Sequence, residues 1–249
     1  MRRIQEIVEE TFAVSGAPNI GDFFPALRWV DRLRGVEAAL VNLQTRRDAF
    51  VSALIDDHRR TRNAGGRYIE KKGVIDVLTE HQEADPGYYT DTVVKGIVLV
   101  LLTAGTDTSA LTTEWAMALL VKHPECVVKE TLRLCPVGPI IPAHEAMEDC
   151  TIWDAPEEFR PERLLDRDAV TTPMLPFGLG RRRCPGEALA MRLFSLTMAA
   201  LVQCFEWDVG EGDTIDMAEG GGLTMPMATP LATVCRPREF VKSVLSAST

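Results

Sequence analysis

Apolar residues recur at helical spacing along much of this chain, and proline or glycine marks most of the breaks between these stretches. Ile4 to Phe12 places apolar residues among glutamates as on one helix face, and Pro18, Gly21 and Pro25 then end that helix in a loop. Val36, Leu40, Leu43, Ala49, Phe50, Ala53 and Leu54 form a stripe with arginine and aspartate opposite, which predicts an amphipathic helix over Val36 to Arg60. Asn63 to Lys72 is polar and glycine-bearing, a flexible connection. Asp85-Pro86-Gly87 makes a turn, and Thr90 to Leu120 reads as one long, largely apolar helix. Glu187 to Phe205 is almost wholly apolar and is predicted to be a buried helix. From Trp207 the pattern changes to short strands, with a tight loop at Gly220 to Pro226. The predicted fold class is mainly α with a small β part.

Composition narrows the picture. A chain of 249 residues with 46% hydrophobic content can bury a sizeable core and form one large domain. The net charge of −9 argues against nucleic acid as a general partner. His58, His81, His123 and His144 show no paired metal-site spacing, and most are expected at the surface. Six cysteines without a CxxC pair, and no signal peptide, fit a reducing compartment. The apolar run Ile97 to Leu102 is far too short to span a bilayer.

The chemistry concentrates in Pro176-Phe177-Gly178-Leu179-Gly180-Arg181-Arg182-Arg183-Cys184-Pro185-Gly186. The glycines let backbone approach a large flat ligand, and Pro185 fixes the chain just ahead of a helix N-terminus. Helix dipole and N–H groups there favour a thiolate on Cys184, a ready metal ligand. The arginines can pair with ligand carboxylates. A buried structural cysteine in a basic turn is the plain alternative. A phosphatase-type loop would need an arginine soon after the cysteine, but the next one is Arg192. No second cysteine or histidine stands at zinc-finger spacing from Cys184.

Phe177, Gly180, Arg182, Cys184 and Gly186 match the haem-binding loop of the cytochrome P450 monooxygenases position for position, and the chain resembles that family. The resemblance implies haem b as cofactor, Cys184 as proximal iron ligand, Arg182 at a propionate and Phe177 packed on the porphyrin. A second match is Ala104-Gly105-Thr106-Asp107-Thr108-Ser109, which resembles the family's central helix. There Gly105 leaves room for dioxygen, and Asp107 and Thr108 relay protons through water. Taken alone, those residues also read as a helix-packing notch beside a polar face.

Glu130 and Arg133 lie three apart on one helical face and can pair. They resemble the family's ExxR element, whose third member is Arg163, a structural network that locks the core behind the haem loop. Pro136 to Pro142 resembles a strand lining the active site, with His144 near a propionate. Gly220 to Pro226 resembles the family's C-terminal hairpin tip, and Glu10 to Asp31 its pocket roof.

The resemblance implies a partial cytochrome P450 fold, the C-terminal half from the helix F region onward, as one incomplete domain over 1–249. Its parts are a helix F to G/H-like region over 1–84, the central helix over 85–125, the ExxR and meander-like part over 126–165, and the haem-thiolate loop with following helix and hairpin over 166–249. Two joins, after His123-Pro124-Glu125 and after Cys150-Thr151-Ile152-Trp153, are abrupt, with segments of the family pattern omitted. The wording around Asp107, Cys204-Phe205-Glu206-Trp207 and Leu223-Thr224-Met225-Pro226 resembles plant enzymes related to isoflavone 2'-hydroxylase.

The implied activity is hydroxylation of a small hydrophobic substrate, flavonoid or other phenolic, using O2 and electrons from NADPH-cytochrome P450 reductase. The implied location is the cytosolic face of the endoplasmic reticulum, with a cytoplasmic location as the alternative because these residues encode no membrane anchor. Two other classes stay open on the sequence alone: a haem-binding module without turnover, and a fragment that binds no haem.

Overall fold

The computed structural model describes residues 2–63, 72–122, 128–138, 155–160, 176–178, 180–210 and 214–242. Its contacts divide the chain into two compact units, Met1–Asp107 and Thr108–Thr249. The architecture is mainly helical with one two-stranded sheet, in agreement with the predicted class.

In the first unit, α1 (Arg2–Gly16), α2 (Ile20–Phe23), a 3-10 turn at Pro25–Leu27, α3 (Arg28–Leu33), α4 (Val36–Asn63), α5 (Val74–Ala84) and the first half of α6 (Asp91–Lys122) follow in order. The break at Pro18 to Pro25 is a folded corner rather than open loop. Asp31 accepts the amides of Ile20 at 3.1 Å and Gly21 at 2.6 Å, which ties α2 to α3. Only glycine fits at position 21, because an added Cβ would come within 2.7 Å of Arg28 Cγ and Asp31 Oδ2.

The core of this unit is Val51 and Ile55 of α4, Leu78 of α5, and Val94 and Val98 of α6. Residues 43, 47, 51 and 55, one every four, turn inward on α4: Leu43, Val51 and Ile55 are buried and Arg47 is half-buried. The predicted stripe is therefore corrected, since Leu40, Ala49 and Ala53 are exposed. Two adjacent apolar tracks run along this helix, and packing against its neighbours selects one of them. Arg47 donates to Thr11 at 3.0 Å and Arg46 pairs with Glu10, fastening α1 to α4. Asp76 accepts the Gly73 amide at the start of α5 and meets His58 of α4 at 2.8 Å. These bonds, His58 first, hold the Asp76 carboxyl below the ordinary carboxylate range. The predicted connection at Asn63 to Lys72 lies largely outside the described residues.

In the second unit, α6 continues, followed by α7 (Val128–Leu134), a 3-10 turn at Gly180–Arg182, α8 (Glu187–Cys204), β1 (Phe205–Asp208) and β2 (Val234–Pro237). The strands pair antiparallel from Phe205 opposite Pro237 to Asp208 opposite Val234. Trp115 to Leu119 are buried without interruption, because α6 is enclosed on all sides here. One cluster joins Trp115, Ala118 and Leu119 to Cys135, Met225 and Met227; another joins Ala116 and Met117 to Phe194 and Met198 of α8.

The expectation that α8 is buried because it is apolar is corrected. Phe194 and Met198 face the core, but Leu189 and Leu196 are 71% and 70% exposed. A helix apolar on every side packs wherever a neighbour exists, and among the described residues the neighbour lies on one side only. By length and composition alone, α6 over Asp91–Val121 and α8 are apolar enough to cross a membrane, although the run Ile97 to Leu102 is not; both also contribute residues to these packed cores.

Candidate functional site

The loop around Cys184 is shaped by its backbone. Gly178 and Gly180 adopt φ values of +70° and +66°, which side chains disfavour. The Cys184 amide donates to the Phe177 carbonyl at 2.8 Å, so the loop folds back and brings these two residues together. Gly186 caps α8, the Ala190 amide reaches its carbonyl at 2.8 Å, and the Glu187 amide reaches the Cys184 carbonyl at 3.4 Å. Cys184 is exposed and carries no disulfide, and Phe177 is half-buried.

The three arginines do not act alike. Arg183 pairs with Glu187, with Nη2 at 2.7 Å from Oε1, so it is committed to a carboxylate of the protein rather than to one on a ligand. The shared hydrogen bonds lower the Glu187 pKa and raise that of Arg183. Arg181 and Arg182 stand exposed in the 3-10 turn that precedes Cys184.

These residues fit a planar metal macrocycle bound through one sulfur. Cys184 is exposed, and an added Cβ at Gly180 would meet nothing within 4 Å, so open space lies at Gly180 in the same loop. Among the described residues no group of three or more His, Cys, Asp or Glu could hold a metal ion, so a metal here would bring most of its own ligands.

The Gly105 to Thr108 segment sits in the unbroken middle of α6. Gly105 is exposed and its missing side chain would point into open space, while Asp107 and Thr108 are half-buried. Thr106 and Thr112 donate their hydroxyls to the carbonyls of Leu102 and Thr108, at 2.6 and 2.7 Å.

Glu130 and Arg133 form a buried bidentate pair, both contacts at 2.8 Å, with side chains 0% and 7% exposed. Backbone groups extend the network. Arg133 donates to the carbonyls of Pro156 at 2.7 Å and Glu158 at 3.0 Å, and the Arg160 amide donates to Glu130 at 2.9 Å. The pairing was legible from spacing; these backbone partners were not. The sequence-predicted residues Arg163 and His144 lie outside the described residues, as does most of Pro136 to Pro142.

Two further residues escaped sequence reading. Trp115, 1% exposed, donates its indole N–H to the Met225 carbonyl at 2.9 Å, and Glu114 accepts the Leu231 amide at 2.9 Å. The usable signal was an indole inside an apolar run, since a buried N–H demands an acceptor.

A cytochrome P450 family model matches residues 1–127 and 140–235, and the chain belongs to the cytochrome P450 family. It is 38% identical over 296 residues to cytochrome P450 81Q32 of Catharanthus roseus, covering 96% of this chain and 58% of that protein. To isoflavone 3'-hydroxylase of Medicago truncatula it is 34% identical (98% of this chain, 58% of that protein), and to isoflavone 2'-hydroxylase of Glycyrrhiza echinata 32% identical (97% and 58%). The chain thus spans about 58% of the length of these relatives. An alignment of 296 positions exceeds the 249 residues available, so the relative has internal stretches without counterpart here. A solved zebra fish cytochrome P450 with abiraterone shares the fold at a TM-score of 0.66 and 21% identity, over 92% of this chain and 68% of that one. Family membership implies haem b as the prosthetic group, consistent with the donor chemistry of the Cys184 loop.

Proposed function

We propose that the chain carries the haem-thiolate half of a plant monooxygenase that hydroxylates a small hydrophobic substrate, an isoflavone or related phenolic, with O2. Electrons come from NADPH-cytochrome P450 reductase at the cytosolic face of the endoplasmic reticulum. One observation carries the reading: an exposed thiol, free of disulfide, presented by a loop with two left-handed glycines and an arginine-rich flank.

Haem b, when bound, supplies the iron at which dioxygen is activated. Cys184 would hold it through its sulfur, Phe177 would pack against it beside that sulfur, and Gly180 and Gly186 would keep side chains away from it. Arg182 would pair with a propionate, as would His144. On α6 Gly105 leaves space, and Asp107 and Thr108 would hold water and pass protons. Glu130 and Arg133, and Arg163 with them, would fix the core behind the loop.

The test is titration of the chain with hemin, followed by a spectrum of the reduced, carbon-monoxide-bound form. A thiolate-type band that Cys184→Ala abolishes supports the reading; no such band, or one that persists in the variant, overturns it. A second reading, haem binding without turnover, is favoured by the internal stretches that relatives carry and this chain lacks. The thiolate band without isoflavone hydroxylation in the presence of reductase selects that reading.

A further inference from the structure

The turn Gly220 to Met227 is mounted on α6. Trp115 donates to the Met225 carbonyl at 2.9 Å, and Met225 donates its own amide to Val137 at 3.0 Å. Glu114 holds the Leu231 amide at 2.9 Å, just past the turn. The turn is closed by Gly220 N to Pro226 O and Ala228 N to Ala218 O, both 2.8 Å. Its base is also crowded: an added Cβ on Gly220 would lie 3.1 Å from Pro226 Cγ and 3.2 Å from the Met227 carbonyl. Met225 and Met227 are buried, while Gly221, Gly222 and Leu223 stand exposed. An exposed tip thus rides on a buried, hydrogen-bonded base.

Thr108, Thr112 and Trp115 follow one another at i, i+4 and i+7, so they share one face of α6. At 1.5 Å per residue Trp115 lies about 10 Å along the axis from Thr108. The base of the turn is bonded to that same face.

We infer that Glu114 and Trp115 are positioning residues that set where the Gly221 to Leu223 tip stands relative to the Thr108 face of α6, and thereby how large a molecule that face admits. The ligand-size part rests on the haem-thiolate reading. The mount itself does not.

Trp115→Phe keeps the ring and deletes the donor, Glu114→Ala deletes the acceptor, and Glu114→Gln retains one. By hydrogen exchange, Trp115→Phe accelerates the Gly220 and Met225 amides about ten-fold, the scale of one lost buried hydrogen bond. Glu114→Ala does the same at Leu231, Glu114→Gln restores protection there, and amides paired between β1 and β2 keep their rates in every variant. In hemin-loaded chain, the ratio of dissociation constants for imidazole and 4-phenylimidazole, read from the Soret shift, changes about three-fold or more in Trp115→Phe and Glu114→Ala, and returns in Glu114→Gln. Unchanged exchange at Gly220, Met225 and Leu231 overturns the mount. Faster exchange with an unchanged ratio overturns its role in ligand size. A wild-type chain without a sulfur-ligated spectrum overturns the haem reading and the size effect together, while the exchange data still decide the mount.

Discussion

The loop around Cys184 and the network around Glu130 hold their side chains by opposite means. Backbone geometry presents the thiol, through two left-handed glycines and the bond from its amide to Phe177, and the sulfur faces solvent. Glu130 and Arg133 are buried charges that also bond to the backbone of Pro156, Glu158 and Arg160. A group meant to meet a ligand needs conformational control with its own bonding capacity left over. A group meant to hold a core needs every bond filled.

The sharpest way to break this contrast is on the buried side. Arg133→Ala removes the bidentate guanidinium from the buried Glu130 carboxylate and is expected to destabilise the fold by about 3–5 kcal/mol in urea unfolding. A loss below about 1 kcal/mol would show that the pair is not essential to the core. Next in size, Met198→Ala on the inner face of α8 is expected to cost about 2–5 kcal/mol as a cavity mutation, read from the same curves.

Smaller effects belong to the loop. Gly180→Ala forces a side chain into a left-handed conformation with open space around it, so the expected cost is purely backbone strain, about 1–2 kcal/mol. In the metal-free chain this exposed loop can relax and release the strain, so the cost should be read as a roughly ten-fold fall in hemin affinity with little change in urea stability; equal losses in both would show that the loop keeps this conformation without hemin and would erase the distinction between the regions. Gly180→Asn, which tolerates this conformation better, should lie between.

The least effect expected is electrostatic. The Glu187 pKa is depressed by the hydrogen bond from Arg183, so any stabilisation by that pair is present above the unfolded carboxylate value of about 4.3 and is lost as pH falls through the lower folded value. Glu187→Gln should flatten that acid limb slightly and leave stability at pH 7 nearly unchanged, because the pair is solvent-exposed. A wild-type and variant difference that grows above pH 6 would contradict this assignment.

How far the sequence could be read depended on the range of the interactions. Asp91–Lys122 falls within two residues of the helix predicted from Thr90 to Leu120, since turn signals and apolar spacing are local. The Glu130 to Arg133 pair was equally local. Its carbonyl partners come from residues some twenty-five positions away, and no spacing rule reaches that far. α8 was misread for a different reason: with apolar residues all round, its sequence names no inner face, and only the contact with Met117 picks out Phe194 and Met198. The left-handed turns of the Cys184 loop fall at Gly178 and Gly180, where the local sequence supplies glycine, whereas the capture of Arg183 by Glu187 required the turn into α8 to be seen.

The outward leucines of α8 bear on how the polypeptide behaves at the bench. Leu189, Leu193 and Leu196 form an oily ridge on a strongly acidic molecule, so raising ionic strength screens the repulsion that keeps copies apart and leaves that ridge to drive clumping. Spectroscopic titrations belong in dilute, low-salt buffer with a mild surfactant.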